Sequence, residues 1–116
     1  MIKRFESILL DEAFEFVQSQ QIKIRTKIFQ NIRRSETKTD PRLFKKLNGE
    51  IWEFRTKYLG NEYRLFAFWD KRNKVKTLVF ASHGRMKKTN KVDKADIDKA
   101  ERVRQDYFKK KRNEKL

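Results

Sequence analysis

The sequence predicts one α+β domain with an N-terminal strand, two helices, a three-stranded antiparallel meander and a C-terminal helix. Three observations carry that prediction. Apolar residues recur at helical spacing through the first third of the chain. The rhythm changes to period two from Ile51, and helical spacing returns after Asp93. With 116 residues, the chain is long enough to bury one core and short for a second independent domain.

Taken in order, Ile2 to Ser7 reads as a short strand. Asp11 reads as a helix cap, with Leu10, Ala13, Phe14 and Val17 on one helical stripe. After Ser19-Gln20-Gln21 a second stripe begins, Ile24, Ile28 and Ile32 with Phe29 beside it, and basic residues occupy the opposite side. Thr37 to Arg42 holds the only proline and several turn formers, so it ends the helical half as a loop.

From Ile51, Trp52 and Phe54 alternate with Glu53, Arg55 and Lys57, which predicts a strand with the polar side chains together on a wet face. Gly60-Asn61 reads as a hairpin turn. Tyr63 to Trp69 is a second strand, apolar apart from Arg64, and Val75 to Ser82 is a third beyond the turn at Asp70-Lys71-Arg72-Asn73. Asp93 can cap a last helix carrying Ile97, Ala100, Val103 and Tyr107, and a basic, flexible tail is expected from about residue 109.

The formal net charge is +15, and it is unevenly spread. Residues 1–50 carry 11 basic and 7 acidic side chains, a surplus of +4, whereas residues 51–116 carry 20 and 9, a surplus of +11. Such a field favours polyanions, nucleic acid above all. With no cysteine and a single histidine, thiolate nucleophiles, disulfides and cysteine or histidine metal centres fall away, and no cofactor is expected. No long apolar span and no secretory leader is visible, so the expected setting is the cytoplasm, without a membrane partner.

The densest stretch of chemistry is His83 to Lys91, where Arg85, Lys87, Lys88 and Lys91 surround the only histidine and the glycine at 84 reads as a hinge. It is read as a basic turn leaving the last strand and suited to phosphate. Glu53, Arg55 and Lys57 are either a solvated sheet face with cross-strand ion pairs or part of a site. Arg64, inside an apolar strand, needs an anion at its guanidinium: either Glu53 or Glu62 in a structural pair, or a ligand phosphate. His83 is either a structural histidine or an acid–base group.

Three segments resemble the RelE/ParE superfamily of toxins, and its HigB-like branch in particular. They are Ile51-Trp52-Glu53-Phe54-Arg55, then Tyr63-Arg64-Leu65-Phe66, then His83-Gly84 through Lys87-Lys88-Thr89 with Asp96-Ile97 and Ala100 beyond. The likeness covers about Leu43 to Tyr107. Two positions depart from it: Arg85 stands where the branch usually has phenylalanine, and Asp93 where proline is common. The resemblance implies a RelE-like fold and the toxin of a type II toxin–antitoxin pair, a ribosome-dependent mRNA endoribonuclease that works without a metal. On that analogy Arg55 and Arg64 meet the scissile phosphate, Lys87 and Lys88 contact phosphate or ribosomal RNA, and Glu53 or His83 is the base or acid. Lys57, Arg85 and Lys91 would bind RNA nearby. Implied partners are the ribosome, mRNA and a cognate antitoxin, of helix-turn-helix HigA-like type, in a toxin–antitoxin hetero-oligomer. Two other readings stay open: a ParE-like inhibitor of DNA gyrase, and a basic RNA-binding module without chemistry.

Overall fold

The computed structural model describes residues 2–114, with side chains to residue 110. The elements in chain order are β1 (Glu6–Leu9), α1 (Asp11–Gln18), α2 (Ile22–Thr37), β2 (Phe44–Asn48), β3 (Ile51–Tyr58), β4 (Asn61–Asp70), β5 (Leu78–Lys87) and α3 (Lys94–Glu114). The class is α+β, but the sheet is not the expected three-stranded meander. It has five strands in the order β1-β5-β4-β3-β2, mixed because β1 runs parallel to β5 while every other pair is antiparallel.

Two additions account for the difference. The strand predicted over residues 2–7 starts later, at Glu6, and leaves the chain at the outer edge of β5. The unpredicted β2 pairs Phe44 with Phe54 and Lys46 with Trp52, and Phe44 stacks on both of those rings, with centroids 4.3 and 4.8 Å apart. Five residues with two adjacent lysines carry too weak an alternation to signal a strand. Contact with the rings of β3 supplies what the pattern lacks.

The last strand is also displaced from the predicted residues 75–82. The Asn73 side chain accepts the backbone N–H groups of Val75 and Lys76 at 2.9 and 3.1 Å, which prolongs the turn and leaves Val75 exposed. The strand instead runs on through Lys87, so His83 to Lys87 is not a turn. His83, Arg85 and Lys87 sit opposite Phe66, Arg64 and Glu62 of β4. The β3–β4 connection is tight: Leu59 and Gly60 both have positive φ, 48° and 82°, the geometry a two-residue hairpin loop requires.

Both faces of the sheet are covered. On one side α1 lies over β5 and α2 over β3, closing a core around Phe5, Val17, Ile28, Phe44, Phe54 and Leu65. On the other side α3 covers Ile51, Phe66, Phe68 and Phe80 through Ala100, Ile97, Val103 and Tyr107. Tyr107 donates its hydroxyl to Asp70 at 2.7 Å, fixing α3 to the end of β4, and burial pushes its phenol up to about 12. Gly84 serves close packing and is not a hinge. A Cβ there would overlap the ring of Phe16 on α1.

Three smaller expectations change. Asp11 is the first residue of α1, whose cap is Leu10. Asp93 does precede α3 and its carbonyl accepts the N–H of Asp96 at 3.1 Å, but its carboxylate is taken by Lys87. The tail expected to be flexible from 109 is helical to Glu114, and residues 115 and 116 lie outside the described residues. No helix among the described residues is long and apolar enough to cross a membrane.

Candidate nucleic-acid interface

β2 pairs with only the first half of β3, from Ile51 to Phe54, so the edge of β3 from Arg55 to Tyr58 is not covered by a strand. The Arg55 N–H is satisfied by the Leu43 carbonyl at 2.7 Å, and Lys27 of α2 donates to the Lys57 carbonyl at 2.6 Å. Two cavities open along this edge. One, of about 360 Å³, lies between α2, the loop before β2 and β3, and is lined by Lys27, Asn31, Arg34, Arg42, Arg55 and Lys57 together with Asp40 and Leu43. The other, of about 550 Å³, lies by the β3–β4 turn, where Lys27, Lys57 and Tyr58 face Glu62, Lys88 and Asn90. Lys27 and Lys57 belong to both cavities, so the two form one groove.

The groove holds six cationic side chains and two carboxylates, both carboxylates already engaged. Asp40 accepts Arg42 through both oxygens, at 3.1 Å from Nε and 3.0 Å from a terminal nitrogen, and the Arg42 contacts hold its carboxyl below the usual range. Glu62 accepts Arg55 at 2.7 Å and Arg64 at 3.1 Å. Burial works against its charge, but those two hydrogen bonds prevail and its carboxyl stays below the ordinary value.

Arg64 is 0% exposed. Its guanidinium donates to Glu62, to the Thr89 carbonyl at 2.8 Å and to the Lys91 carbonyl at 3.1 Å, and lies 3.9 Å from Glu53. It therefore braces the connection between β5 and α3 from below, and of the two readings of Arg64 the geometry is that of the structural pair. Glu53 is also 0% exposed. Its oxygens make no hydrogen bond, although Arg55 Nε comes within 3.2 Å, because the approach is poorly aligned. Burial pushes the Glu53 carboxyl up, and the charges of Arg64 and Arg55 only partly oppose it. The face expected to be wet is thus dry at Glu53 and open only towards Lys57.

His83 falls into a separate cluster. Its ring stands 3.0 Å from the Ser82 hydroxyl and 3.1 Å from Asp96, and it stacks on Phe66. The line from serine through histidine to aspartate has the order of a nucleophile, base and orienting acid. All three are buried, however, and Asp96 is also gripped by Arg85 at 2.6 and 2.8 Å. Burial lowers the His83 pKa against the pull of Asp96. Burial would raise Asp96, but Arg85 and His83 outweigh it and lower it. These side chains tie β5 to the start of α3.

Of the nine residues the sequence singles out, Arg55, Lys57 and Lys88 share the groove. Glu53 and Arg64 lie behind it, His83 and Arg85 belong to the Asp96 cluster, Lys87 is paired to Asp93 at 2.5 Å, and Lys91 is exposed beyond Lys88. Lys27, Asn31, Arg34, Arg42 and Asn90 are groove residues that sequence reasoning misses. The basic side of α2 is visible in the sequence, but which of its cations meets the sheet edge depends on how the helix is seated. Among the described residues, no cluster of histidine, cysteine or carboxylate side chains is placed to hold a metal ion.

The arrangement can seat a strand of phosphates against Lys27, Arg55, Lys57 and Lys88, with one elevated carboxyl behind Arg55. The sequence profile of the family described as Phage derived protein Gp49-like (DUF891) matches residues 15–105, and that family is related to the RelE/ParE-like toxin superfamily. No curated protein and no solved structure matches the chain.

Proposed function

The chain belongs to the phage-derived Gp49-like family, and from that premise we propose that it is the toxin of a type II toxin–antitoxin system that cuts mRNA on the ribosome. The family is associated with toxins of such systems. The observation that carries the RNA reading is the groove, whose six cations face two carboxylates that are already paired. Electrostatic contact with phosphate is the main source of sequence-independent affinity for RNA.

The proposed chemistry uses the RNA as its own nucleophile. The ribose 2′-hydroxyl loses its proton and attacks the adjacent phosphorus, the bond to the 5′ oxygen breaks, and that oxygen takes up a proton, leaving a 2′,3′-cyclic phosphate and a 5′-hydroxyl. Arg55, Lys57 and Lys88 are the cations that meet the crowded phosphorane, where charge develops. Glu53 is the candidate proton acceptor, since burial raises its carboxyl above the ordinary carboxylate value and makes it the stronger base. It sits behind Arg55, so proton transfer to it requires the Arg55 side chain to lift away. Arg64 supports this site from beneath. The HigB-like branch and a helix-turn-helix antitoxin are finer parts of the same proposal, supported by the segments around Glu53 and Arg64.

Purified protein added to translating ribosomes is expected to give new codon-phased 5′ ends on mRNA, and Arg55→Ala and Lys88→Ala are expected to abolish them. One observation favours a second reading: Glu53, Arg64 and His83, three of the six side chains to which the resemblance gives a part in cleavage, are at most 2% exposed. If mRNA stays intact while the protein still binds RNA, the chain is an RNA-binding module without chemistry. Intact mRNA with loss of gyrase supercoiling would place it with the gyrase inhibitors instead.

A further inference from the structure

The cavity between α2 and the loop before β2 is bordered by Arg55 and Lys57 of the site proposed for cleavage, shares Lys27 with the second cavity, and adds two cations of its own, Arg34 and Arg42. Arg34 enters from α2, Arg42 from the loop and Lys27 from the α2 flank, and Asn31 stands over the Thr56 hydroxyl at 3.1 Å. Among the described residues no hydrogen bond or ion pair holds the exposed Arg34 side chain, whose charge acts on Asp40. Leu43 is the only apolar side chain in the lining, and no aromatic ring is present. A cavity of about 360 Å³ admits a phosphodiester and its ribose, and without a stacking surface it offers nothing for a base.

We propose that this cavity is a second RNA subsite that holds one backbone phosphate of the strand next to the scissile nucleotide, independently of base identity, and that Asp40 competes with that phosphate for Arg42. The inference rests on the RNA reading given above. Arg42 presents its fork to the two oxygens of Asp40 in the geometry that suits a phosphate equally well. Asp40 is an internal anion occupying the place of the ligand. Continuity with the second cavity through Lys27 and Lys57 gives the strand a path from Arg34 to Lys88.

The test uses the full chain and a 2′-O-methyl oligouridylate, which cannot be cleaved, with binding followed by fluorescence anisotropy across a salt series. Arg34→Gln is expected to reduce the slope of log affinity against log salt by about 0.7, the value of one single-strand phosphate contact. Over a fourfold salt range, the affinity lost then shrinks by about 2.6-fold. Asp40→Asn, which keeps the turn but removes the competing charge, is expected to tighten binding, and an oligoadenylate should give the same changes as the oligouridylate. The proposal is overturned if Arg34→Gln and Asp40→Asn both match wild type while Lys88→Gln lowers the slope, because the strand then runs past the cavity. It also falls if the changes differ between the two oligonucleotides. No binding by wild type would remove the RNA reading itself, a distinct outcome from failure of the subsite alone.

Discussion

Replacing Arg64 with methionine, which has similar reach and no charge, tests whether this side chain is a brace. The change removes donors from Glu62, Thr89 and Lys91 and takes away one of the two cations within 4 Å of Glu53. The losses are unequal. Thr89 and Lys91 are exposed, so water can replace the guanidinium at their carbonyls, and Glu62 keeps Arg55 at 2.7 Å. Glu53 has no such relief, being fully buried and without a hydrogen bond. Breaking a buried ion pair by removing one partner costs about 3–5 kcal/mol. With a urea dependence of about 1.5 kcal/mol per molar for a domain of this size, the midpoint should fall by about 2–3 M. The assay is urea unfolding followed by tryptophan fluorescence, with circular dichroism to check that the transitions coincide. Adding Glu53→Gln to Arg64→Met removes the stranded charge and should recover about 1–2 kcal/mol. A midpoint within about 0.5 M of wild type at unchanged slope, or no recovery in the double variant, would refute the assignment of Arg64 as a brace holding the connection at 88–93.

Three further outcomes are expected. Glu53→Gln alone should raise stability at neutral pH and progressively less in acid. The folded-state pKa of Glu53 is raised, so its contribution is favourable below its unfolded value and is lost as pH rises through the folded one; urea midpoints at several pH values check this. His83 has the opposite sign: its folded pKa is depressed, so its contribution is present above about 6.5 and lost as pH falls. Melting temperatures of His83→Gln should accordingly decline less than those of wild type over that window. Gly84→Ala should cost about 1–3 kcal/mol through overpacking against Phe16, and Phe16→Leu in the same chain should restore part of it, as thermal unfolding can show.

Much of the fold is legible in the sequence because it depends on local pattern. The stripe Ile24, Ile28 and Ile32 becomes the buried side of α2, the alternation of Trp52 and Phe54 with Glu53 and Arg55 separates the two faces of β3, and the hairpin turn read at Gly60-Asn61 forms one residue earlier, at Leu59-Gly60. β2 is not legible, since its reason to be a strand lies in the rings of β3. β1 is misplaced because its partner, β5, is 72 residues away in the pairing of Glu6 with Leu78. The candidate site divides in the same way.

The sequence by itself determined that this chain is strongly basic, lacks thiol chemistry and carries Arg55, Lys57 and Lys88 close to strands. Those are properties of residue type and spacing. The tertiary structure alone decided which cations face a ligand. Arg64 and His83 read from sequence as either structural or reactive groups, and packing of α3 and the 88–93 connection over the sheet buries both against carboxylates. Lys27, Arg34 and Arg42 carry no signal of their own in the sequence, and the short β2 leaves a sheet edge open beside them. A charge becomes a binding group or a brace according to whether its desolvation is met from within the protein or left for a ligand to meet, and that balance is set only once the layers have closed.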